Sequence, residues 1–432
     1  MGQSLQAVRG FKDLLPADAE RTASLESLAR RTLELYGFRE LRLPMLEQAE
    51  LFVKATGETT DIVEKEMFQL EDQGGRKLAL RPEGTPGVVR AYLQHHLSQQ
   101  GGTTKLYYVG SMFRAERPQA GRFREFEQIG AETIGNSHPA ADVESILSLK
   151  AIFDRIGLKG KTRLRINNIG CDDSPDCRPK YRQELLAFLK ANAGTLCANC
   201  QRRMERNPLR VLDCKTDGPK LAAAPKLAPC APCQEHFSQV TLMLAKADGE
   251  LAALGTDPTL VRGLDYYTRT VFEFQSKDVG AQDAIAGGGR YDGLIHSMGG
   301  QKTPATGWAM GVERTLAAAL AADPAGQAPK NRPAAAYVAV ISASGSTNGA
   351  AECMEGARLL EELRRNGIRA EGTLFGRKLG AQLGEAERQG AARAVILGPD
   401  EVLQGMCKIK DLRNGEQKDV PLSKVIEEIS RA

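Results

Sequence analysis

Fixed positive charge recurs at three separated places in this 432-residue chain. Arg114, Arg117, Arg122 and Arg124 crowd the segment FRAERPQAGRFR, Arg262 sits in LVRGLDYYTRTVFEF, and Arg314 lies in GWAMGVERTL. A guanidinium stays charged at any working pH and presents a fork of donors, so an arginine held at a strand end suits a phosphate or a carboxylate. Arginines on a mobile loop suit a larger polyanion, and a solvated basic hairpin is the plainer alternative for the first group. Negative and hydroxyl-bearing residues stand apart from these. In RPEGT, Glu83 and Thr85 can hold an ammonium group, one by charge and the other as a directional acceptor. Pro82, Glu83 and Thr85 also suit the start of a helix, and the two uses are compatible. Gln128 and Glu132 lie on a second apolar segment, and Tyr266 and Tyr267 adjoin Asp265. Two neighbouring tyrosines on an extended chain point opposite ways, so one can face a pocket while the other packs elsewhere.

A second chemistry is carried by sulfur. Seven of the nine cysteines fall between residues 170 and 257, including the pairs Cys197-x-x-Cys200 and Cys230-x-x-Cys233. Four thiolates from two such pairs can make a tetrahedral zinc site. The stretch between the pairs, about thirty residues, exceeds the usual ribbon spacing of roughly 15–20. Reduced thiols in a helical insertion are the alternative.

These residues need elements to position them. A helix is predicted from Pro16 to about Tyr36, with Leu25, Leu28, Ala29 and Leu33 on one face and Gly37 as the stop. FRELRLPMLE follows as a strand broken at Pro44. Phe68–Leu70 and Leu78–Leu80 form a hairpin around Gly74 and Gly75, and the second strand runs into RPEGT. Leu106–Phe113 and Phe126–Ile134, rich in aromatic and branched residues, make a longer hairpin whose loop carries the basic cluster, turned by Pro118 and Gly121. Asp142–Ile156 is an amphipathic helix, Leu164–Ile169 a strand, and 170–257 mostly helical. A strand returns at Leu260–Phe274, the three glycines of AGGGRYDGL then permit close backbone approach, and GWAMGVERTL is a strand turning into a helix. Ala317–Ala334 reads as a linker. Beyond it, strand and helix alternate: strands at Tyr337–Ile341, Arg369–Gly372, Ala394–Leu397 and Met406–Asp411, helices at Ala350–Asn366, Leu379–Gln389 and from near Pro421. That pattern gives a small open sheet with helices on both faces.

Taken together, these segments resemble a known family. FRAERP followed by a strand with Gln128 and Glu132 resembles motif 2 of the class II aminoacyl-tRNA synthetases, in the form found in histidyl-tRNA synthetases. The helix, strand and proline at residues 16–44 resemble motif 1, and Gly307-x-x-x-Gly311-x-Glu313-Arg314 resembles motif 3. LVRGLDYYTRTVFEF and AGGGRYDGL are similar to the two histidine-specific motifs. RPEGT resembles the TxRPE-type element, with Leu80 at its leading position. Lys378 and the GEQ turn at Gly415 resemble the anticodon-binding domain. NPLRVLDCK, residues 207–215, is typical of the helical insertion that in this family leans over the tRNA acceptor stem; the sequence gives it no chemical role.

The resemblance implies an α+β catalytic domain on an antiparallel sheet, divided as 1–169 and 258–325, with a Cys-rich helical insertion at 170–257. A linker at 326–335 and an α/β anticodon-binding domain at 336–432 complete the chain. It implies a histidine–tRNA ligase that forms histidyl-adenylate from L-histidine and ATP and passes histidine to tRNA(His). Arg114 and Arg262 would act on the α-phosphate, Arg314 would stack on adenine, and Glu116 would join the ATP site. Histidine would meet Glu83, Gly84, Thr85, Gln128, Glu132, Tyr266 and Tyr267, with Tyr108 closing the pocket. Gln119 and Arg124 would touch the acceptor end. Mg2+ would bridge the β- and γ-phosphates, and motif 1 implies a homodimer. A non-catalytic paralogue, such as the regulatory subunit of ATP phosphoribosyltransferase, shares this fold but carries degraded motifs, whereas Arg114, Arg262 and Arg314 are all present.

Composition sets the outer bounds. Charged residues make up 26% and hydrophobic ones 42%, an ordinary water-facing balance, and a net charge of +4 permits a nucleic-acid partner without requiring one. The first residues lack the apolar core of a signal peptide, and no apolar run approaches membrane-spanning length. With nine cysteines read as metal ligands or reduced thiols, a reducing cytoplasm is the expected location and no membrane is expected as a partner.

Overall fold

A computed structural model of the chain describes residues 5–57, 60–116, 122–212, 214, 216–251, 255–277, 283–323, 335–341, 350–373 and 377–430. It divides into two compact units, Met1–Lys330 and Asn331–Ala432.

The larger unit is built on a seven-stranded sheet. In spatial order its strands are Arg39–Glu40, Thr104–Phe113, Glu125–Ile134, Ala305–Gly311, Ala284–Arg290, Thr268–Gln275 and Arg163–Asn168. Every neighbouring pair is antiparallel except the first. The two-residue period of a strand sends alternate side chains to opposite faces. Tyr107, Ile129 and Ala131 therefore join a core with Leu25, Leu33, Ile146, Phe153, Phe272 and Trp308, beneath the helices Pro16–Leu35, Pro139–Phe153 and Val312–Ala322. On the other face Tyr108 packs with Tyr266, Tyr267 and Tyr291 under the helix Thr85–Gln94. Gln128 and Glu132, four residues apart on one strand, share that second face. One side of the sheet is closed by hydrophobic packing, so the chemistry is confined to the other.

Some expectations needed correction. Leu260–Phe274 is not one strand: ladder pairing begins only at Thr268. The preceding residues send their polar groups elsewhere, Asp265 N–H to the carbonyl of Thr56 for example. Similarly, the strand before Pro44 is regular only at Arg39–Glu40, with one further bond from Leu41 N–H to Tyr107. The expected linker also starts late, because Ala317–Ala322 ends the helix Val312–Ala322; residues 324–334, which include most of the expected linker, lie outside the described residues.

Within residues 170–257 the helices Arg178–Ala191 and Ala198–Met204 pack around their own small core of Tyr181, Leu185, Leu189, Val211 and Leu221. Helix Ala231–Ala247 instead lends Phe237, Val240 and Leu244 to the main core. Under it lies a buried ionic knot. Asp142 accepts from Arg290 Nε at 3.0 Å and from Thr270 Oγ1 at 3.0 Å, and it meets His236 Nε2 at 2.6 Å. Removing either partner of a buried pair strands a charge, so this knot fixes the strand that carries AGGGRYDGL.

The smaller unit is a five-stranded sheet in the order Ala370–Thr373, Ala335–Val340, Ala391–Leu397, Met406–Asp411 and Gln417–Pro421. The first three are parallel and the last two antiparallel. Separate apolar clusters, one with Leu359 and Leu363 and the other with Ala386, show helices on both faces. The edge strand Gln417–Pro421 was not expected. Its first three residues are exposed and polar, so no alternating pattern marks it. No described helix is long and apolar enough to cross a membrane.

Candidate active site

The long hairpin and the strand–helix junction at RPEGT close around a cavity of about 210 Å³, whose lining includes Glu83, Gln128, Glu132 and Tyr267 together with Arg114, Arg262 and Arg314. Two chemistries thus share one hollow. At its deep end, Thr85 Oγ1 donates to Glu132 Oε1 at 2.6 Å and Tyr291 hydroxyl donates to Glu132 Oε2 at 2.5 Å. Burial still pushes the Glu132 carboxyl up to about 8 against these donors. Tyr108 hydroxyl donates to Gln128 Oε1 at 3.0 Å. Its ring fills the space over two glycines: a Cβ at Gly84 would stand 2.2 Å from it, and one at Gly130 2.3 Å. Gly84 therefore serves the site by making room for Tyr108.

Glu83 is buried where the helix Thr85–Gln94 begins. Its Oε2 accepts from the Tyr266 hydroxyl at 3.0 Å, while Oε1 is buried with no hydrogen-bond partner among the described residues. Burial raises this carboxyl to about 7, with Arg114, the Tyr266 hydroxyl and Arg262 pulling the other way. A buried acceptor without a donor costs free energy until a ligand supplies one. An ammonium group would satisfy it. Tyr267 is buried beside Tyr266, their ring centroids 4.7 Å apart.

The arginines are held from behind. Arg114 Nε donates to the Pro82 carbonyl at 3.0 Å, and its guanidinium carbon lies 5.4 Å from the Phe126 ring centroid. Arg262 Nη1 donates to Glu273 Oε2 at 2.7 Å, and its buried Nε has no partner among the described residues. The guanidinium rests on Gly287, where a Cβ would come within 2.6 Å. Arg314 Nε donates to the Ala284 carbonyl at 2.8 Å. Glu116, also at the cavity wall, accepts from Arg122 at 3.0 Å. Each guanidinium spends one edge on protein and turns part of itself to the cavity, which suits a polyanion lying between them.

Other candidates fall elsewhere. Gln119, like Arg117, Pro118 and Gly121, lies outside the described residues. Arg124 sits at the base of the hairpin loop, donating to the carbonyls of Glu116 at 3.3 Å and Arg9 at 3.4 Å. The single zinc site suggested by Cys197, Cys200, Cys230 and Cys233 is not formed. The two pairs belong to separate clusters: Cys230 and Cys233 gather with Cys171 and Cys177, and Cys197 and Cys200 with Cys214 and Asp217. The sequence reading also missed Tyr291 as a partner of Glu132 and Glu313 at the cavity wall. Tyr291 lies 159 residues from Glu132, and no local pattern signals that contact.

The family model for histidyl-tRNA synthetase matches residues 10–315, and that for an anticodon binding domain matches residues 337–432. The chain is 48% identical to the histidine–tRNA ligase of Elusimicrobium minutum (strain Pei191) over 98% of both chains. It is 46% identical to that of Anaeromyxobacter sp. (strain K) over 99% of both. The crystal structure of apo S. aureus histidyl-tRNA synthetase superimposes with a TM-score of 0.79 at 29% identity, covering 99% of this chain and all of that one.

Proposed function

The chain belongs to the histidyl-tRNA synthetase family, and we propose that the residues of its cavity divide the work between the amino acid and ATP. The activity itself is histidine–tRNA ligation: histidine is activated by ATP to histidyl-adenylate with release of diphosphate, then passed to the 3′ end of tRNA(His). The observation that carries the division is that Glu83 Oε1 and Arg262 Nε, both buried and without a hydrogen-bond partner among the described residues, belong to side chains that line one cavity.

In this reading Glu83, Thr85 and Gln128 hold the substrate ammonium. Glu132 and Tyr267 take the imidazole nitrogens, Tyr266 keeps Glu83 in place, and Tyr108 closes the pocket over Gly84. The histidine carboxylate then lies near Arg114 and Arg262. One of its oxygens attacks the α-phosphorus, the bond to the β-phosphate oxygen breaks, and diphosphate leaves. No protein nucleophile and no proton transfer are required. Catalysis consists of alignment and of balancing the charge that gathers on the α-phosphate. Arg114 and Arg262 supply that balance from two sides, while Arg314 lies against adenine and Glu116 borders the nucleotide. In the second step the terminal ribose hydroxyl of tRNA attacks the adenylate carbonyl, the acyl–oxygen bond breaks, the hydroxyl proton passes to the departing phosphate and AMP leaves. Gln119 and Arg124, on the hairpin loop, are assigned to the acceptor end.

ATP is used with Mg2+ in this family, and the donor set beside the arginines fits a hard dication. Glu313 accepts from the Glu127 amide at 2.9 Å, and its carboxyl is raised by burial and by the nearby Glu127 charge. Glu313, which lines the cavity, would help to hold the ion, which would neutralise charge on the β- and γ-phosphates. We assign domain limits of 1–169 and 258–325 for catalysis, 170–257 for the insertion and 336–432 for anticodon binding.

The experiment is ATP–diphosphate exchange without tRNA, offered each amino acid in turn. Exchange with histidine alone is expected, since a buried carboxylate and phenol left unpaired by an apolar analogue give discrimination of roughly 10⁴-fold. Exchange with none of them by folded protein rejects the assignment of the cavity. We also propose a cytoplasmic homodimer. Leu35 stands exposed at the end of the motif 1-like helix, and Met45 and Leu46 stand exposed just past its proline, as a covered face would require. Sedimentation at micromolar concentration should give twice the chain mass of 46.8 kDa, and a single-chain mass removes the dimer.

A further inference from the structure

We propose that the insertion carries two separate structural zinc centres, one made by Cys171, Cys177, Cys230 and Cys233 and the other by Cys197, Cys200, Cys214 and Asp217. In each group the ligand atoms all lie within 4.8 Å of one another. Cys171 Sγ and Cys230 Sγ are 3.8 Å apart; Cys197 Sγ and Cys214 Sγ are 3.9 Å apart; Cys214 Sγ is 3.8 Å from Asp217 Oδ2. Four zinc–sulfur bonds of about 2.3 Å, arranged tetrahedrally, set sulfur–sulfur edges near ~3.8 Å. A disulfide would need sulfurs at about 2.05 Å. These spacings match a shared central ion.

Backbone donors are aimed at the ligands as anions would require. Cys177 Sγ accepts the N–H groups of Cys171 at 3.3 Å and Cys230 at 3.4 Å, and Asp217 Oδ2 accepts the N–H of Cys197 at 2.9 Å. Such bonds orient a ligand and favour its charged form. Each C-x-x-C pair opens a helix, Ala198–Met204 or Ala231–Ala247, so its second cysteine returns to the same side one turn on. Both centres supply four protein ligands, which is the closed arrangement of a structural ion and leaves no position for substrate.

The placement explains what the two ions would hold. The first joins the chain entering the insertion to the start of the helix that leaves it, closing a loop between Cys177 and Cys230. Arg178, next to Cys177, donates to the carbonyl of Tyr267 in the histidine pocket, and Asn168 Nδ2 donates to the Cys233 carbonyl at 3.0 Å. The second centre fixes the end of residues 207–215, the stretch whose chemistry the sequence left open. Asn207 Nδ2 donates to Asp265 Oδ1 at 2.5 Å, and Arg210 and Arg203 pair with Asp61 at 3.1 and 2.6 Å. The insertion is thereby buttoned to the wall of the catalytic cavity by backbone and carboxylate contacts that the ions would hold in register.

Elemental analysis of the full chain, purified without chelators, is expected to give two zinc ions per chain. One or none in folded protein, or iron in place of zinc, overturns the proposal. Cys177→Ser and Cys214→Ser should each lose one ion, and the double variant both. Full retention by Cys214→Ser would mean that the second centre is not the one described. Should a variant not fold, cobalt substitution into the wild-type chain decides the matter. Two equivalents with tetrahedral and sulfur-to-cobalt absorption bands are expected, and octahedral cobalt or a single equivalent overturns it.

Discussion

Arg262→Ala should lower histidine-dependent ATP–diphosphate exchange by roughly 10²–10³-fold, the range expected when a group that balances transition-state charge is removed. The size of the effect follows from how the side chain is held. Glu273 fixes one nitrogen at 2.7 Å, Gly287 leaves room for the guanidinium plane, and the buried Nε has no partner among the described residues. The donor is therefore in place before substrate arrives, so little reorganisation is needed at the moment of reaction. Alanine also takes from Glu273 its 2.7 Å partner, which adds to the loss. A separate variant isolates position from charge. Gly287→Ala keeps Arg262 but puts a methyl group where the guanidinium lies, 2.6 Å from its atoms, and no backbone atom is within that contact. Exchange should fall by about 10–100-fold from misplacement, with the melting temperature nearly unchanged. The readout is single-turnover adenylate formation with saturating histidine and ATP. A rate within about threefold of wild type for Arg262→Ala would keep the enzyme and discard the arginine's role.

The parts of this site that could be read in the sequence share a property: their chemistry and their position travel in the same short segment. Arg114 ends a strand, Glu83 opens a helix, and Arg314 follows a strand–helix junction, so residue type and local element together point to a use. What could not be read depends on contacts across long separations. Glu132 is held by Thr85 from 47 residues away and by Tyr291 from 159 away, and neither pairing leaves a local signature. The cysteines make the same point more sharply. Spacing identified Cys197, Cys200, Cys230 and Cys233, but the fold gives each pair different partners, Cys214 and Asp217 for one and Cys171 and Cys177 for the other. The strand Gln417–Pro421 was missed for a simpler reason: an exposed edge has one apolar face at most, and its polar residues resemble a loop.

Glu132→Gln should weaken histidine binding by about 10²–10³-fold, or roughly 3–4 kcal/mol, while ATP affinity stays within about threefold. The carboxylate is the deepest polar group of the amino-acid side of the cavity, and Gly307 exists to admit it: a Cβ there would stand 1.7 Å from Glu132 Oε2. Glutamine keeps the shape but replaces one acceptor oxygen by a donor, which then faces the hydroxyl of Thr85 or Tyr291 and the imidazole N–H. A loss of binding could be mistaken for a loss of folding, and the ionisation of Glu132 separates the two. Burial raises its carboxyl to about 8 in the folded chain, against an ordinary value of 4.5. Between those values the folded state keeps a proton that the unfolded state has released, so the stability this group contributes is complete below pH 4.5 and is lost as pH rises through 8. Glu83, raised to about 7, acts in the same direction and remains in the variant. Without ligands, Glu132→Gln should therefore flatten the fall in melting temperature between pH 5 and pH 8, and at pH 8 it should melt no lower than wild type. Calorimetric titration with histidine and with ATP, paired with melts at both pH values, tests this directly. Equal losses for the two ligands, or a variant less stable than wild type at pH 8, would remove Glu132 from the imidazole. The expected pattern, firmer folding with histidine binding lost, would mean that the pocket keeps a destabilising buried carboxylate because its substrate is the partner that the fold leaves out.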